Sequence, residues 1–457
     1  MRIQLIVIFS FLFLSLQVSG NELHRAFQEQ SSVNVILALK TRAASHSEWR
    51  NLEQHIDVIQ QKLINEMGWV NINHLVRYKN APFIAKAVAR SEYDRLRQSE
   101  FVDTIYLDKF TLLRAPEASR QLPNRKTADI NPKIKQVNAV AVIDSGIDFN
   151  HPYLKNKVVA GACFSASGHC PNKEKKQFGI QAGKPCLFNG CNHGTHVAGI
   201  SVGENVQHRG VAPQSQLVSI NAMSHNGFGA GFTDSDILQS LDWVLTNHKK
   251  YNISVVNMSL GGGRFYDNCD TDYPYTALIN QLRDNNILTV IASGNDYLTD
   301  SIGAPACISS AVSVGSVNYD GEVSDFSNSY KRITIMAHGS KILSSVPGGQ
   351  LEVMSGTSMA SPQVAGAVSL LKSVYPSATA EQLYRSMLSG DDFLDSRNQV
   401  KTKKLNVKKS LAYLKQQFKR APDKTKPIKE DTNNCSNKID GILIEKSNTD
   451  CGKAIRW

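Results

Sequence analysis

The sequence predicts an α/β protein: a mostly parallel sheet covered by helices on both faces, preceded by a small α/β domain. Two observations carry this. From about Val137 to Leu411, short apolar runs alternate with segments of helical period, and the runs are continuous rather than alternating, as in strands buried on both faces. Ahead of them, residues 34–113 read in the order β-α-β-β-α-β, the split βαβ arrangement.

In the small domain, Val35–Leu39 reads as a strand and Trp49–Met67 as an amphipathic helix. Strand-like runs follow at Ile72–Tyr78 and Phe83–Ala89, then a short helix at Glu92–Gln98 and a last strand at Val102–Asp108. In the main domain Ala139–Ile143, Leu217–Ala222, Ser254–Leu260, Leu288–Ser293 and Ala311–Val317 are the buried strands. Thr233–His248 is helical, with Ile237, Leu238, Leu241, Val244 and Leu245 on one side and a capping box between Thr233 and Asp236. Tyr275–Asn285, Thr357–Tyr375 and Thr379–Leu388 are further helices, and Pro362 is expected in a first turn, where its missing N–H costs little. Open sheets of this kind bind ligands at the carboxyl ends of their strands. Asp144 and Asn295 both fall where predicted strands end.

The 457 residues exceed one ordinary domain. Residues 1–20 have a basic start, an apolar stretch from Ile3 to Leu16 and small residues at Val18-Ser19-Gly20, the layout of a secretory signal peptide. That apolar stretch is short for a bilayer span, and none longer follows, so export without stable membrane insertion is expected. Eight cysteines suit an exported chain with disulfides. Cys269 is paired with Cys307 and Cys435 with Cys451, while Cys163, Cys170, Cys186 and Cys191 leave three connectivities open. Zinc is disfavoured because two matching Cys-x-x-Cys arms are missing. The net charge of +11 suits acidic partners or surfaces, or more plainly the solubility of an exported protein. Its densest basic stretch, Lys419–Lys429, has no interleaved aromatics, and nucleic acid is not an expected partner. Residues 114–135, with Pro116, Pro123 and Pro132, read as a linker. The domains are therefore 1–20, 21–113, the linker, a main domain at 136–415 and a tail at 416–457, to which no function is assigned.

Three blocks carry the chemistry: Val142-Ile143-Asp144-Ser145-Gly146, His193-Gly194-Thr195-His196-Val197-Ala198-Gly199 and Gly356-Thr357-Ser358-Met359-Ala360-Ser361-Pro362. A serine hydroxyl becomes a competent nucleophile when a neutral imidazole takes its proton and a carboxylate orients that imidazole. Ser358, His193 and Asp144 fit those roles, and Ser358 opens a predicted helix whose N-terminus favours developing negative charge. His196 is read as a buried, hydrogen-bonded residue, since a metal pair of the His-Glu-x-x-His type is spaced four apart. Asp148 is read as a turn carboxylate.

The blocks, in the order Asp, His, Ser, resemble those of the subtilisin family of serine proteases (subtilases, peptidase family S8), as does Ala292-Ser293-Gly294-Asn295. The resemblance implies the subtilisin-like fold and a serine endopeptidase with Asp144, His193 and Ser358 as triad and Asn295 as oxyanion-hole donor. Ser259-Leu260-Gly261-Gly262 resembles the wall of the family's primary specificity pocket, and Gly227-Phe228-Gly229-Ala230-Gly231 its edge segment that pairs with substrate backbone. Ser259, Leu260, Gly261, Gly227 and Gly229 are thus the expected substrate-binding residues. No acidic cluster guards the pocket motifs, which favours an apolar or broad P1 preference. The small domain resembles the family's ferredoxin-like propeptide, an intramolecular inhibitor and folding chaperone, with maturation inside or just before the linker. The expected partners are protein or peptide substrates and the propeptide itself. No cofactor is needed for the chemistry; a structural calcium is implied by resemblance alone, with no ligands assigned. The departure from the family pattern is Cys163–Cys191, which ends in Asn189-Gly190-Cys191-Asn192 before His193. Rival expectations are a peptide ligase or cyclase on the same triad, a silent binding protein on this fold and a precursor whose propeptide stays attached.

Overall fold

The structure, a computed structural model, describes residues 22–41, 52–113, 117–118, 132–205 and 209–420. The expected signal peptide, the start of the Trp49 helix, most of the linker and the Cys435–Cys451 pair lie outside the described residues. By contacts the chain divides into a unit ending at Lys415 and a second from Gln416.

The small domain opens with α1 (residues 22–29), a helix the sequence reading did not anticipate. It continues through β1 (Ser32–Leu39), α2 (Leu52–Met67), β2 (Val76–Arg77), β3 (Phe83–Ala89), α3 (Arg90–Leu96) and β4 (Val102–Leu107). Its sheet has the order β2-β3-β1-β4, antiparallel throughout. Successive strand residues face opposite ways, and both faces are used. Val35, Leu37 and Leu39 join Leu63 and Ile64 of α2 in the domain's own core. Ile36 and Ala38, with Tyr78 and Phe83, join the large core of the main domain. The expected strand Ile72–Tyr78 shrinks to β2, because Val70 and Ile72 are exposed and β2 pairs at a sheet edge. Two short strands follow, β5 (Phe110–Leu112) and β6 (Glu117–Ala118).

The main domain begins with β7 (Ala139–Asp144), β8 (Val158–Phe164), β9 (Lys176–Phe178), α4 (His193–Val202) and β10 (Gln216–Asn221). The hairpin β11 (Ser224–His225) and β12 (Ala230–Thr233) leads into α5 (Asp234–Asn247) and β13 (Ile253–Met258). Next come β14 (Gly262–Phe265), α6 (Thr276–Asp284), β15 (Leu288–Ala292), β16 (Ile302–Ala304), β17 (Val312–Val317) and β18 (Ile335–His338). The chain continues with β19 (Ile342–Val346), β20 (Gln350–Ser355), α7 (Thr357–Val374), α8 (Ala380–Met387), β21 (Asp391–Leu394), β22 (Lys401–Lys404) and α9 (Val407–Arg420).

The large sheet runs β21-β22-β18-β17-β15-β13-β7-β10-β8-β9, parallel except at the outermost strand on each side. This is the predicted α/β class. Strands β7, β13, β15 and β17 are buried at every position. Helices α4 and α7 pack together against the sheet, as do α5 and α6. The capping box of α5 forms as expected: Thr233 Oγ1 accepts from Asp236 N–H, and the Asp236 carboxylate accepts from Thr233 N–H. Three disulfides close short segments, Cys163–Cys170, Cys186–Cys191 and the expected Cys269–Cys307. The first two choose one of the three connectivities.

Candidate active site

The buried strand β7 ends at Asp144, which is 3% exposed. Its carboxylate accepts from Ser145 N–H at 2.7 Å and faces His193 Nδ1 with both oxygens, at 2.9 and 3.0 Å. His193 is the first residue of α4 and fully buried. The close approach of the two elements requires Gly194, where a Cβ would lie 2.5 Å from Gly146 O and 3.0 Å from Asp144 Oδ1. With Nδ1 engaged, Nε2 is left without a partner among the described residues, as a general base awaiting a proton would be.

Ser358 is the second residue of α7 and 6% exposed. Its hydroxyl donates to Ser259 O at 3.3 Å rather than to His193. The structure therefore brings Asp144 and His193 into direct hydrogen bonding, and Ser358 to the pocket wall. Pro362 lies deeper in α7 than its expected first turn, at the sixth residue. It cannot donate to the carbonyl four residues back, that of Ser358. Ser259 Oγ supplies the replacement, donating to Ser358 O at 3.0 Å while meeting Ser361 Oγ at 2.8 Å.

Asn295 follows β15 across Ser293-Gly294. Its Oδ1 accepts from both Thr357 N–H and Thr357 Oγ1, each at 2.9 Å, which fixes the amide and leaves Nδ2 as the free donor end. A small cavity is lined by Ser259, Leu260 and Gly261, by Ala292 and Gly294–Asp296, and by Thr357 and Ser358. The expected pocket wall and oxyanion donor thus share one cavity with the serine. Leu113 also lines it.

The expected backbone-pairing segment divides, with Ala230 and Gly231 in β12. Gly227 and Gly229 lie in the turn between β11 and β12, and the pairing strand is β12 itself. It is already occupied: β5 runs antiparallel along it, Leu112 opposite Gly231 and Phe110 opposite Thr233, and Leu113 N–H donates to Ala230 O at 2.9 Å. Gly229 faces the Leu112 side chain, whereas nothing lies within 4 Å of a Cβ placed on Gly227. Beyond the serine, β6 pairs with β20 at Ser355 and Met354.

His196 is buried, its Nε2 lies 3.0 Å from Glu352 O, and burial lowers its pKa to about 3, so it stays neutral. Asp148 accepts from Asn150 N–H and Gly348 N–H, a turn carboxylate as expected. Among the described residues no three His, Cys, Asp or Glu side chains gather to hold a metal ion.

The sequence model of the subtilase family matches residues 136–409, more than half of the chain. This protein is a subtilase. It is 35% identical to an intracellular serine protease of Paenibacillus polymyxa over 51% of this chain and 66% of that one. It is 34% identical to a subtilisin of Bacillus pumilus over 56% of this chain and 84% of the relative. Against subtilisin E of Bacillus subtilis the figures are 34%, 53% and 58%. The chain thus spans less than two thirds of the first and third of these relatives. Subtilases are serine endopeptidases, and the matched region contains every block described above.

Proposed function

We propose that this subtilase is a secreted endopeptidase that cleaves itself once and is then held inactive by residues 21–113. Ser358 Oγ adds to a substrate carbonyl carbon as its proton passes to His193 Nε2; Asp144 holds the imidazole and stabilises the imidazolium. Asn295 Nδ2 and the Ser358 N–H receive the oxyanion. Collapse of the adduct breaks the C–N bond, and the proton on His193 leaves with the amine. Water then repeats the sequence on the acyl-enzyme. The productive hydrogen bond requires the Ser358 hydroxyl to leave Ser259 O for His193 Nε2, a tightening that substrate binding commonly brings about.

The observation that carries this reading is the occupied edge: β5 lies on β12 as an added strand, and Leu113 lines the same cavity as Ser358. Residues 110–113 are thus presented as a substrate's acyl side would be, and β6 resumes pairing on the far side of the serine at Glu117. The cut falls between Leu113 and Glu117. Export is supported by the apolar leader and by three disulfides, which persist in oxidising compartments.

The test uses the full chain and its Ser358→Ala variant. The wild type is expected to acquire an N-terminus at residues 114–117 and, once the cleaved small domain has been removed, to take a fluorophosphonate label on Ser358. The variant is expected to fold, remain uncut and take no label. A Ser358→Ala chain that still cuts itself sinks the proposal.

A further inference from the structure

Asn295 is the centre of a segment whose flanking backbone is tied, residue by residue, to a second loop. Asn328 N–H donates to Gly294 O at 2.9 Å, Tyr297 N–H to Phe326 O at 3.1 Å, and Ser329 N–H to Leu298 O at 2.9 Å. The side chain of Asn328, fully buried, joins the rest. Its Oδ1 accepts from Asp296 N–H at 2.8 Å and Leu298 N–H at 3.1 Å, and its Nδ2 donates to Asp296 Oδ2 at 3.0 Å and Ser293 O at 3.3 Å. Gly294 is required by this packing: its φ is +108°, and a Cβ would lie 2.3 Å from Asn328 Nδ2. Tyr297 also sits at positive φ, +61°, which a non-glycine residue adopts only when its surroundings impose it.

The second loop is itself held from the turn between β21 and β22. Arg397 forms a two-pronged pair with the buried Asp395, Nε to Oδ1 at 3.1 Å and Nη2 to Oδ2 at 3.0 Å. Its remaining donors reach the carbonyls of Ser324, Asp325 and Ser327 at 3.4, 3.1 and 3.0 Å. Asn398 Nδ2 bridges the two loops, donating to Ser329 O at 2.7 Å and Thr299 O at 2.9 Å. The guanidinium thus gathers a cluster of carbonyls that would otherwise need a cation or water.

We propose that Asn328 is a positioning residue for the Asn295 amide, and that Arg397 and Asn398 hold the loop from which it acts. The inference rests on Asn295 being the oxyanion donor. A preorganised donor is effective because it need not move as charge develops; a looser segment spreads the amide over positions that miss the oxyanion. The loss therefore falls on kcat, since the oxyanion exists after binding, and it requires Asn295 to be present.

The experiment measures kcat and KM of the enzyme matured from the full chain and freed of the small domain, on a peptide substrate, for Asn328→Ala and Asn398→Ala, each alone and combined with Asn295→Ala. Asn295→Ala is expected to lower kcat on the order of 10²–10³-fold, the range known from a subtilisin. Asn328→Ala is expected to lower it about tenfold or more and Asn398→Ala by less, both with KM within about twofold, and both nearly silent once Asn295 is removed. Asn398 is only partly buried, so it carries the cycle if Asn328→Ala does not fold. Losses that repeat in full in the Asn295→Ala background, or that appear in KM, overturn the proposal. An unchanged kcat in Asn295→Ala itself marks failure of the oxyanion assignment and takes this inference with it.

Discussion

The carbonyl of Ser358 shows how one residue type imposes another a hundred positions away. Pro362 removes the helical donor that would serve it, and Ser259 Oγ replaces that donor. Asn257 Nδ2 donates to the same Ser259 oxygen at 2.9 Å, so the hydroxyl is fixed from the sheet side as well. Ser259→Ala leaves a buried carbonyl without its donor, and such a loss costs about 1–3 kcal/mol. Denaturant unfolding of the full chain, in a Ser358→Ala background to prevent self-digestion, is expected to show that decrease; an unchanged midpoint would mean that another donor takes over. The residues of the blocks were legible in sequence because their chemistry demands fixed types in a fixed order. Asn328 was not. Its partners lie about thirty positions away, no motif surrounds it, and an asparagine satisfying loop backbone has no signature of its own.

At the scale of elements, α5 links the two domains. Its N-terminus receives Asp108 of the small domain, whose Oδ1 accepts from Ser235 N–H at 2.9 Å, where a helix favours negative charge. Two turns further on, the Asp242 carboxylate accepts from Lys79 N–H, Asn80 N–H and Asn80 Nδ2 at distances from 2.7 to 3.2 Å. Hydrogen bonds to a charged group contribute about 1.5–3 kcal/mol. Asp242→Ala is therefore expected to weaken the hold of the small domain about ten- to a hundredfold. The measurement is the rate at which peptidase activity appears after self-cleavage, which should rise; unaltered kinetics would show that these bonds carry no net affinity. Elements with strong periodicity were predictable, α5 and its capping box above all. The strand at Ile72–Tyr78 was overread, since apolar side chains at a sheet edge look the same in sequence whether or not a partner pairs with them. That β5 pairs along Ala230 and Gly231 rather than along Gly227 and Gly229 has a similar cause: glycines mark the turn, but the backbone that pairs carries no side-chain signal.

At the scale of the molecule, the two domains share a core on the Ile36 and Ala38 face of the small sheet, and beside it lies an uncommon concentration of carboxyl groups. Burial pushes Asp234 up to about 8 and Asp236 up to about 7, with Asp108 adding repulsion to both. Asp108 and Asp242 are raised as well, again chiefly by burial. Facing them, Lys109 draws Asp234 down, Tyr275 donates to it, and Ser224 and Thr233 bond Asp236. When the small domain departs, Asp108 goes with it and solvent reaches the face it covered, so the carboxyls titrate lower in the separated state. Groups whose pKa is higher in the complex stabilise it below their free values, and that contribution is lost as pH rises through their values in the complex. The window set by Asp236 and Asp234 runs from about 7 to about 8. After self-cleavage, the small domain should stay bound in mild acid and be released as pH climbs through that window, so rising pH would free the enzyme. Binding rather than turnover has to be read, because a general base brings its own pH dependence. Size-exclusion chromatography of the cleaved complex across the window should show the small domain separating on the alkaline side, and Asp108→Asn, which removes its repulsion and so lowers both values, should leave the separation less dependent on pH. Release on the acid side, or an Asp108→Asn complex that parts with the same pH dependence as wild type, would rule the carboxyl cluster out as the switch.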